Sequence, residues 1–248
     1  MIKKLLLLSI LLCNIMVAKP ITITTGEWQP WISETLKEDG VAIDIVKSIF
    51  ESQGLETKFE FYPWKRAYNL AKNGKVDATA IWYKNRERKN DFLISKPIFS
   101  TQDVIIYKKG EKIIFNTLAD LKKYKVALTR GYSYGQEIDD MVKTNQIKVK
   151  WVNSDLLALK QIEKRNNFDI FICAKSVAKS LIADNFKNST IFKFYPKSTK
   201  NNPLFFMVSK KVKNGEKLIT AFNKGLKEFK SKGLIKKMID NSFQGKYK

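Results

Sequence analysis

Hydrophobic residues along the chain fall into short runs of strand length that alternate with stretches of helical spacing. Ile21 to Thr25 alternates isoleucine with threonine and predicts a first strand. A helix follows over about Ala42 to Gln53, with Ala42, Ile45, Val46, Ile49 and Phe50 as its buried stripe and Gly54 as its cap. Asp44 lies in its first turn, where a carboxylate suits the positive end of the helix dipole. Thr57 to Tyr62 predicts a second strand, stopped by Pro63. Trp64, Ala67, Tyr68 and Ala71 then form one face of a short helix that ends at the turn Asn73-Gly74. Asp77 opens an apolar run, Val76 to Trp82, of strand length. A loop carrying Lys84, Arg86, Arg88 and Lys89 separates it from a second apolar entry at Phe92-Leu93-Ile94.

The same plan returns further on. Asp103 to Tyr107, Lys125 to Thr129 and Val149 to Val152 predict strands, and Leu156, Leu159 and Ile162 mark a helix. Lys164 to Ile170 then repeats the local design of Lys72 to Ala78: a helix end, an asparagine-containing turn, and an aspartate opening an apolar strand. After a helix over Ser176 to Asn185, strands are expected at Ile191 to Tyr195 and at Pro203 to Val208. The tail carries two helical stripes, Leu218, Phe222, Leu226 and Phe229, then Leu234, Ile235, Met238 and Ile239, with Gly233 breaking them. One α/β plan used twice implies two lobes, and a buried strand that ends in a charged loop is where such a scaffold presents a site.

Three stretches, Gly74-Lys75-Val76-Asp77, Asn85-Arg86-Glu87-Arg88 and Ile94-Ser95-Lys96-Pro97-Ile98, resemble the signature of periplasmic solute-binding proteins of the polar amino acid type, bacterial extracellular solute-binding family 3. The resemblance implies the two-lobed periplasmic-binding-protein type II fold, with two crossing strands as hinge and the ligand in the cleft. It divides the chain into residues 19–104 with 206–248 as one lobe and residues 105–205 as the other, with hinge crossings at Asp103 to Tyr107 and Pro203 to Val208. It also implies roles. Arg88 grips a ligand carboxylate as a planar fork. Gly131 and Ser133 offer amides and a hydroxyl to the same carboxylate at a helix N-terminus, and Trp28 covers the ligand. Trp64, Arg66, Trp82 and Lys175 are further residues expected at or beside the cleft. Each has a plain structural alternative: a packed indole, a solvated cation, or for Ser133 a helix N-cap. Trp31 reads as a loop plug.

One departure stands out. The family places an acid about five residues after the second strand-opening aspartate, Asp169, to hold an α-ammonium, and this chain has Ala174 followed by Lys175. A buried ammonium needs a charge partner or a ring of acceptors. The amine is therefore held elsewhere, with Glu27 as a candidate, or the ligand is an anion without one.

Composition narrows the chemistry. The chain of 248 residues has no histidine and two cysteines, Cys13 and Cys173. Ser-His and Cys-His nucleophile pairs are thereby excluded, and neither a metal cluster nor a cofactor is expected. Lys3-Lys4, the apolar run Leu5 to Leu12 and a cut after Ala18 make residues 1–18 a signal peptide, which implies a periplasmic protein. The run is too short to span a bilayer, and Leu12 before Cys13 argues against lipidation. The net charge of +22 raises the possibility of nucleic acid as a partner. Its lysines are spread without a basic block or DNA-binding motif, so a solvated surface is expected instead. The predicted function is cleft-closing capture of a small carboxylate-bearing solute, an amino acid or related organic acid, by a monomer serving a membrane permease or receptor. The alternatives are a dehydratase of the same fold acting on a cyclohexadienyl acid, for which no suitably spaced acid pair is visible, and a sensing module for a separate receptor.

Overall fold

The computed structural model describes residues 19–164 and 167–248. The expected signal peptide and Cys13 lie outside the described residues. The elements run β1 (Ile21–Thr25), α1 (Val41–Glu51), β2 (Thr57–Phe61), α2 (Trp64–Lys72), β3 (Ala78–Tyr83), α3 (Arg86–Asp91), β4 (Phe92–Ile94) and β5 (Ser100–Lys108). They continue with β6 (Lys125–Thr129), α4 (Gln136–Lys143), β7 (Lys148–Val152), α5 (Asp155–Lys164), β8 (Ile170–Ala174), α6 (Lys175–Asn185), β9 (Phe192–Ser209), α7 (Gly215–Ser231) and α8 (Leu234–Phe243).

Two copies of a strand-helix-strand-helix-strand unit make up the frame. In the first, β1 pairs in parallel with β2 and β3; in the second, β6 pairs in parallel with β7 and β8. The strand-opening aspartates do the same work in both. Asp77 Oδ2 accepts from Thr22 N at 2.8 Å, and Asp169 Oδ2 accepts from Lys125 N at 2.6 Å. Each carboxylate thus satisfies an amide at the entry of the central parallel strand, which would otherwise lack a ladder partner. The repeated design read from the sequence is a repeated hydrogen bond.

A single long strand joins the two units. The first half of β9 pairs antiparallel with β5, and its second half with β3 and β4. Here the sequence reading needs correcting, since strands expected at Ile191 to Tyr195 and Pro203 to Val208 are parts of one 18-residue strand. The intervening Pro196 to Asn202 is polar and lacks alternation, so it reads as a loop. It stays in the sheet because register shifts against β5, at Asp103/Val104 and Val104/Ile106, absorb its irregularity. The basic loop also differs: Arg86–Asp91 is a short helix, begun by the Asn85 side chain accepting from Arg88 N at 2.9 Å.

The helices cover the sheet faces through the predicted stripes. Val41, Ala42, Ile45, Val46, Ile49 and Phe50 of α1 are buried, and Phe50 meets Phe206 and Phe222, whose rings stack at 4.7 Å. Burying side chains of this size contributes about 1.5–3 kcal/mol each. Gly225 lets α7 lie close on α1, since a Cβ there would sit 2.8 Å from Ile49 O. Gly233, in the left-handed conformation at φ 66°, breaks α7 from α8 as the stripes predicted.

Candidate functional site

Between the units lies a narrow cavity of about 40 Å³. The end of β3 builds one wall in an unusual way. Ile81, a β-branched residue, holds φ 65° within the strand, and the pairing with β9 shifts register between Ala80 and Trp82. Such a conformation costs about 1–3 kcal/mol and persists only where its surroundings enforce it. Its consequence is visible in the lining. Three consecutive residues, Ile81, Trp82 and Tyr83, line the cavity where the regular alternation of the strand is broken.

Six of the nine residues the sequence offers for the cleft meet here: Trp28, Trp64, Trp82, Arg88, Gly131 and Ser133. Lys175 is exposed in the first turn of α6 and is not part of the wall. Glu27 is exposed too, and its Oε1 accepts from Glu34 N at 3.0 Å. Arg66 is exposed with its guanidinium over the Tyr62 ring. Trp31 is more than a plug: its indole N–H donates across the cleft to Ser176 Oγ at 2.9 Å, and its ring packs 5.0 Å from Phe99.

Arg88 is 6% exposed despite lying in a run of charged residues. Its guanidinium lies over the Trp82 ring at 4.6 Å, and Nη1 donates to Tyr83 O at 2.5 Å. Burial brings its pKa down to about 10, so it stays a cation at neutral pH. The ion pairs among the described residues do not include it. A guanidinium with several donors free, fixed by stacking and one carbonyl, is prepared for an anion.

Facing it is the loop between β6 and α4. Gly131 takes φ 83°, and neither its N–H nor that of Ser133 donates to another described residue. Ser133 is not the N-cap of the helix that follows. Gly135 holds the N-cap position of α4, while the Ser133 hydroxyl donates to Asp139 Oδ2 and Tyr134 N donates to Asp139 Oδ1 at 2.9 Å. Arg88 and this loop also line a wider groove leading outward past Tyr68 and Asp139.

Aromatic rings close the rest. Trp64 and Trp82 meet edge to face at 4.9 Å, Trp28 and Tyr83 at 6.1 Å, and Trp64 reaches Tyr132 across the cleft at 6.5 Å. Gly26 makes room for Trp64, because a Cβ there would stand 2.8 Å from the indole; the Trp64 N–H then donates to Glu27 O at 3.1 Å.

The sequence reading missed the acids. Asp103, on β5, lines the cavity and is 3% exposed, and Asn202 Nδ2 donates to its Oδ2. Burial, with the nearby Asp155 carboxyl adding to it, pushes Asp103 up to about 7. Asp155, at the start of α5, is pushed by burial to about 6 and accepts from Thr129 Oγ1. Nothing local in the sequence marks them: Asp103 stands at the polar start of an apolar run, Val104 to Tyr107, and Asp155 reads as an ordinary first-turn acid. Cys173 is buried in the cavity wall with its thiol pKa raised well above the usual value by burial, which makes it inert. No group of three or more Cys, Asp or Glu among the described residues is placed to hold a metal ion.

The model of the bacterial extracellular solute-binding proteins, family 3, matches residues 21–245. The chain belongs to that family. A search of curated proteins finds no match. Among solved structures, an ancestral arginine-binding protein bound to arginine is similar at 23% identity, with 90% of this chain and 97% of that chain covered and a TM-score of 0.72. The GluR0 ligand-binding core from Nostoc punctiforme, in complex with L-glutamate, gives 20% identity, 90% and 99% coverage and a TM-score of 0.72. A histidine kinase sensor domain with similarity to periplasmic binding proteins gives 17% identity, 90% and 95% coverage and a TM-score of 0.75. These likenesses show the two-lobed periplasmic-binding-protein fold. As a member of an extracellular family the protein is secreted and binds a small solute, and no helix among the described residues is long and apolar enough to cross a membrane.

Proposed function

We propose that the protein captures a small carboxylate-bearing solute, an amino acid or a related organic acid, in the periplasm and delivers it to a membrane transporter. The observation that carries this reading is Arg88, a buried guanidinium stacked on Trp82 with no ion-pair partner among the described residues, at the wall of the cleft. Burying such a charge is costly unless a counter-charge arrives. The ligand carboxylate supplies one, and the free N–H groups of Gly131 and Ser133 meet it from the other side. Trp28 and Trp64 cover the apolar part. The lobes are residues 19–104 with 206–248, and 105–205; a ligand that touches both favours their closure because only the closed state makes all contacts.

Thermal unfolding of the purified protein against amino acids, dicarboxylates, aromatic acids and quaternary amines tests the reading. A ligand at ~100 times its dissociation constant adds about 2.7 kcal/mol to stability. Stabilisation by an acid in the wild type and not in Arg88→Ala is the expected result. Equal stabilisation of both proteins would remove Arg88 from the site.

The acids Asp103 and Asp155, close enough for Asp155 to raise the pKa of Asp103, are the one feature that favours an enzyme instead. Consumption of a cyclohexadienyl acid by the protein would establish that function; binding without turnover excludes it.

A further inference from the structure

We infer that Asp103 binds a cationic group of the ligand, the ammonium of an amino acid or similar zwitterion, in place of the acid that position 174 does not provide. The inference rests on the proposed binding function and names the ligand's second charged end.

The sheet register carries it. In the antiparallel pairing of β5 with β8, Asp103 stands directly opposite Ala174. Residues directly opposite in such a pair put their side chains on the same face, with Cβ atoms about 4.5–5.5 Å apart. Both line the cavity. An acid lost from one strand is thus replaced from the adjoining strand, within reach of the same point in space. Ala174 matters to this arrangement because its small side chain leaves the space in front of the Asp103 carboxyl open.

The surroundings of Asp103 fit a site with a cation still to come. Asn202 donates to Oδ2 and fixes the carboxyl plane, and Oδ1 keeps capacity for another donor. The ion pairs among the described residues do not include Asp103. Lys200, opposite Asp103 on β9, favours the charged form from nearby without forming an ion pair, since its ammonium lies against Gly135, where a Cβ would stand 2.6 Å from Nζ. The other titratable groups acting on Asp103 are Asp155, which disfavours its charge, and Tyr83, which favours it. Cys173 lies beside it as an un-ionised thiol. Burial raises the Asp103 pKa to about 7, and an ammonium in the cavity would draw it back to the ionised form. Tyr83, Trp28 and Tyr132 also line the cavity, and aromatic surroundings suit a cation.

The test uses matched probes: each L-amino acid, the acid that lacks its amine, and the amine that lacks its carboxylate. L-Arginine, 5-guanidinopentanoate and agmatine form one set; L-leucine, 4-methylpentanoate and 3-methylbutylamine another; L-phenylalanine, 3-phenylpropanoate and phenethylamine a third. Thermal shift screens them on the wild type, and calorimetry follows on Asp103→Asn, Asp103→Glu and Arg88→Ala, each checked for folding by circular dichroism. The expected result is an amino acid that binds the wild type at least about tenfold more tightly than its amine-free acid, a preference that a charged pair worth 1.4 kcal/mol suffices to produce. Asp103→Asn erases that preference while leaving the amine-free acid bound, and Asp103→Glu restores part of it. If an amino acid keeps its preference in Asp103→Asn, its ammonium is held elsewhere and the inference fails. Equal binding of acid and amino acid by the wild type leaves the Arg88 reading standing and also overturns the inference. Binding of an amine without its carboxylate, lost in Asp103→Asn, sustains the inference and overturns the carboxylate reading. A panel with no binder defeats both.

Discussion

Arg88 and Asp103 are two buried charges on the wall of one cavity, and burial does opposite things to their availability. Desolvation takes Arg88 down to about 10, still far above neutral pH, so its cation is standing. The same cause takes Asp103 up to about 7, so near neutrality the free protein holds its carboxyl partly protonated. Under the proposed function the cleft would therefore offer a permanent grip for an anion and a conditional one for a cation. The difference follows from how far the ordinary pKa of each side chain lies from neutrality. It gives the two ends different sensitivities, and each can be broken separately.

The largest effect is expected at the standing charge. Arg88→Ala removes a charge-assisted fork, and loss of about 3 kcal/mol of such bonding lowers affinity for a carboxylate ligand by roughly 100-fold or more in calorimetry. Arg88→Lys keeps the charge but loses the fork and the stack on Trp82, so it recovers only part of the loss. Full recovery by lysine would mean that the site reads charge alone.

Asp103 should answer to pH where Arg88 does not. For a ligand with an ammonium, affinity rises as pH climbs through about 7 and falls by about tenfold per unit below it. Free-protein stability moves the other way. A carboxyl with a folded-state pKa above its unfolded value binds more protons when folded, so its contribution is greatest at low pH and is lost as pH rises from about 4 toward about 7. Asp103→Asn should thus melt higher than the wild type above pH 7, with the gap closing near pH 4. A gap that does not vary with pH would show that Asp103 titrates as an exposed acid.

A smaller effect is expected from the wall between these ends. Gly26→Ala drives a methyl into the Trp64 indole, where 2.8 Å is the available distance. Turning the indole away should weaken binding about three- to tenfold, with a change in tryptophan fluorescence, and act alike on ligands with and without an amine. Unequal action would link Trp64 to one charged end.

What was legible in the sequence, and what was not, divides along the same line. The strand-opening aspartates Asp77 and Asp169, the α1 stripe and the break at Gly233 are local patterns, and they fold as read. Arg88 was legible because its motif is contiguous: Asn85 begins the short helix whose third residue is the arginine. Asp103 was not, since its meaning depends on standing opposite Ala174 across a strand pair that only the fold creates. Ile81 gives even less warning. Positive φ is expected of glycine or asparagine, and a β-branched residue is held there only by the sheet around it. The long β9 was split in the reading because a polar stretch between two prolines follows the pairing of its partner and not its own pattern.

The smallest effect tests whether the two ends act independently. The Ser133 hydroxyl already donates to Asp139, which also receives the Tyr134 N–H, so a ligand gains little from it beyond the free amide. Ser133→Ala should cost at most about 1 kcal/mol, roughly fivefold in affinity. Combined with Asp103→Asn, its effect should add to within about 0.5 kcal/mol if the sites are separate. A larger coupling would show that the carboxylate and ammonium grips tighten together, through closure of the lobes, and that the conditional charge on Asp103 helps to set how firmly the standing charge on Arg88 holds its ligand.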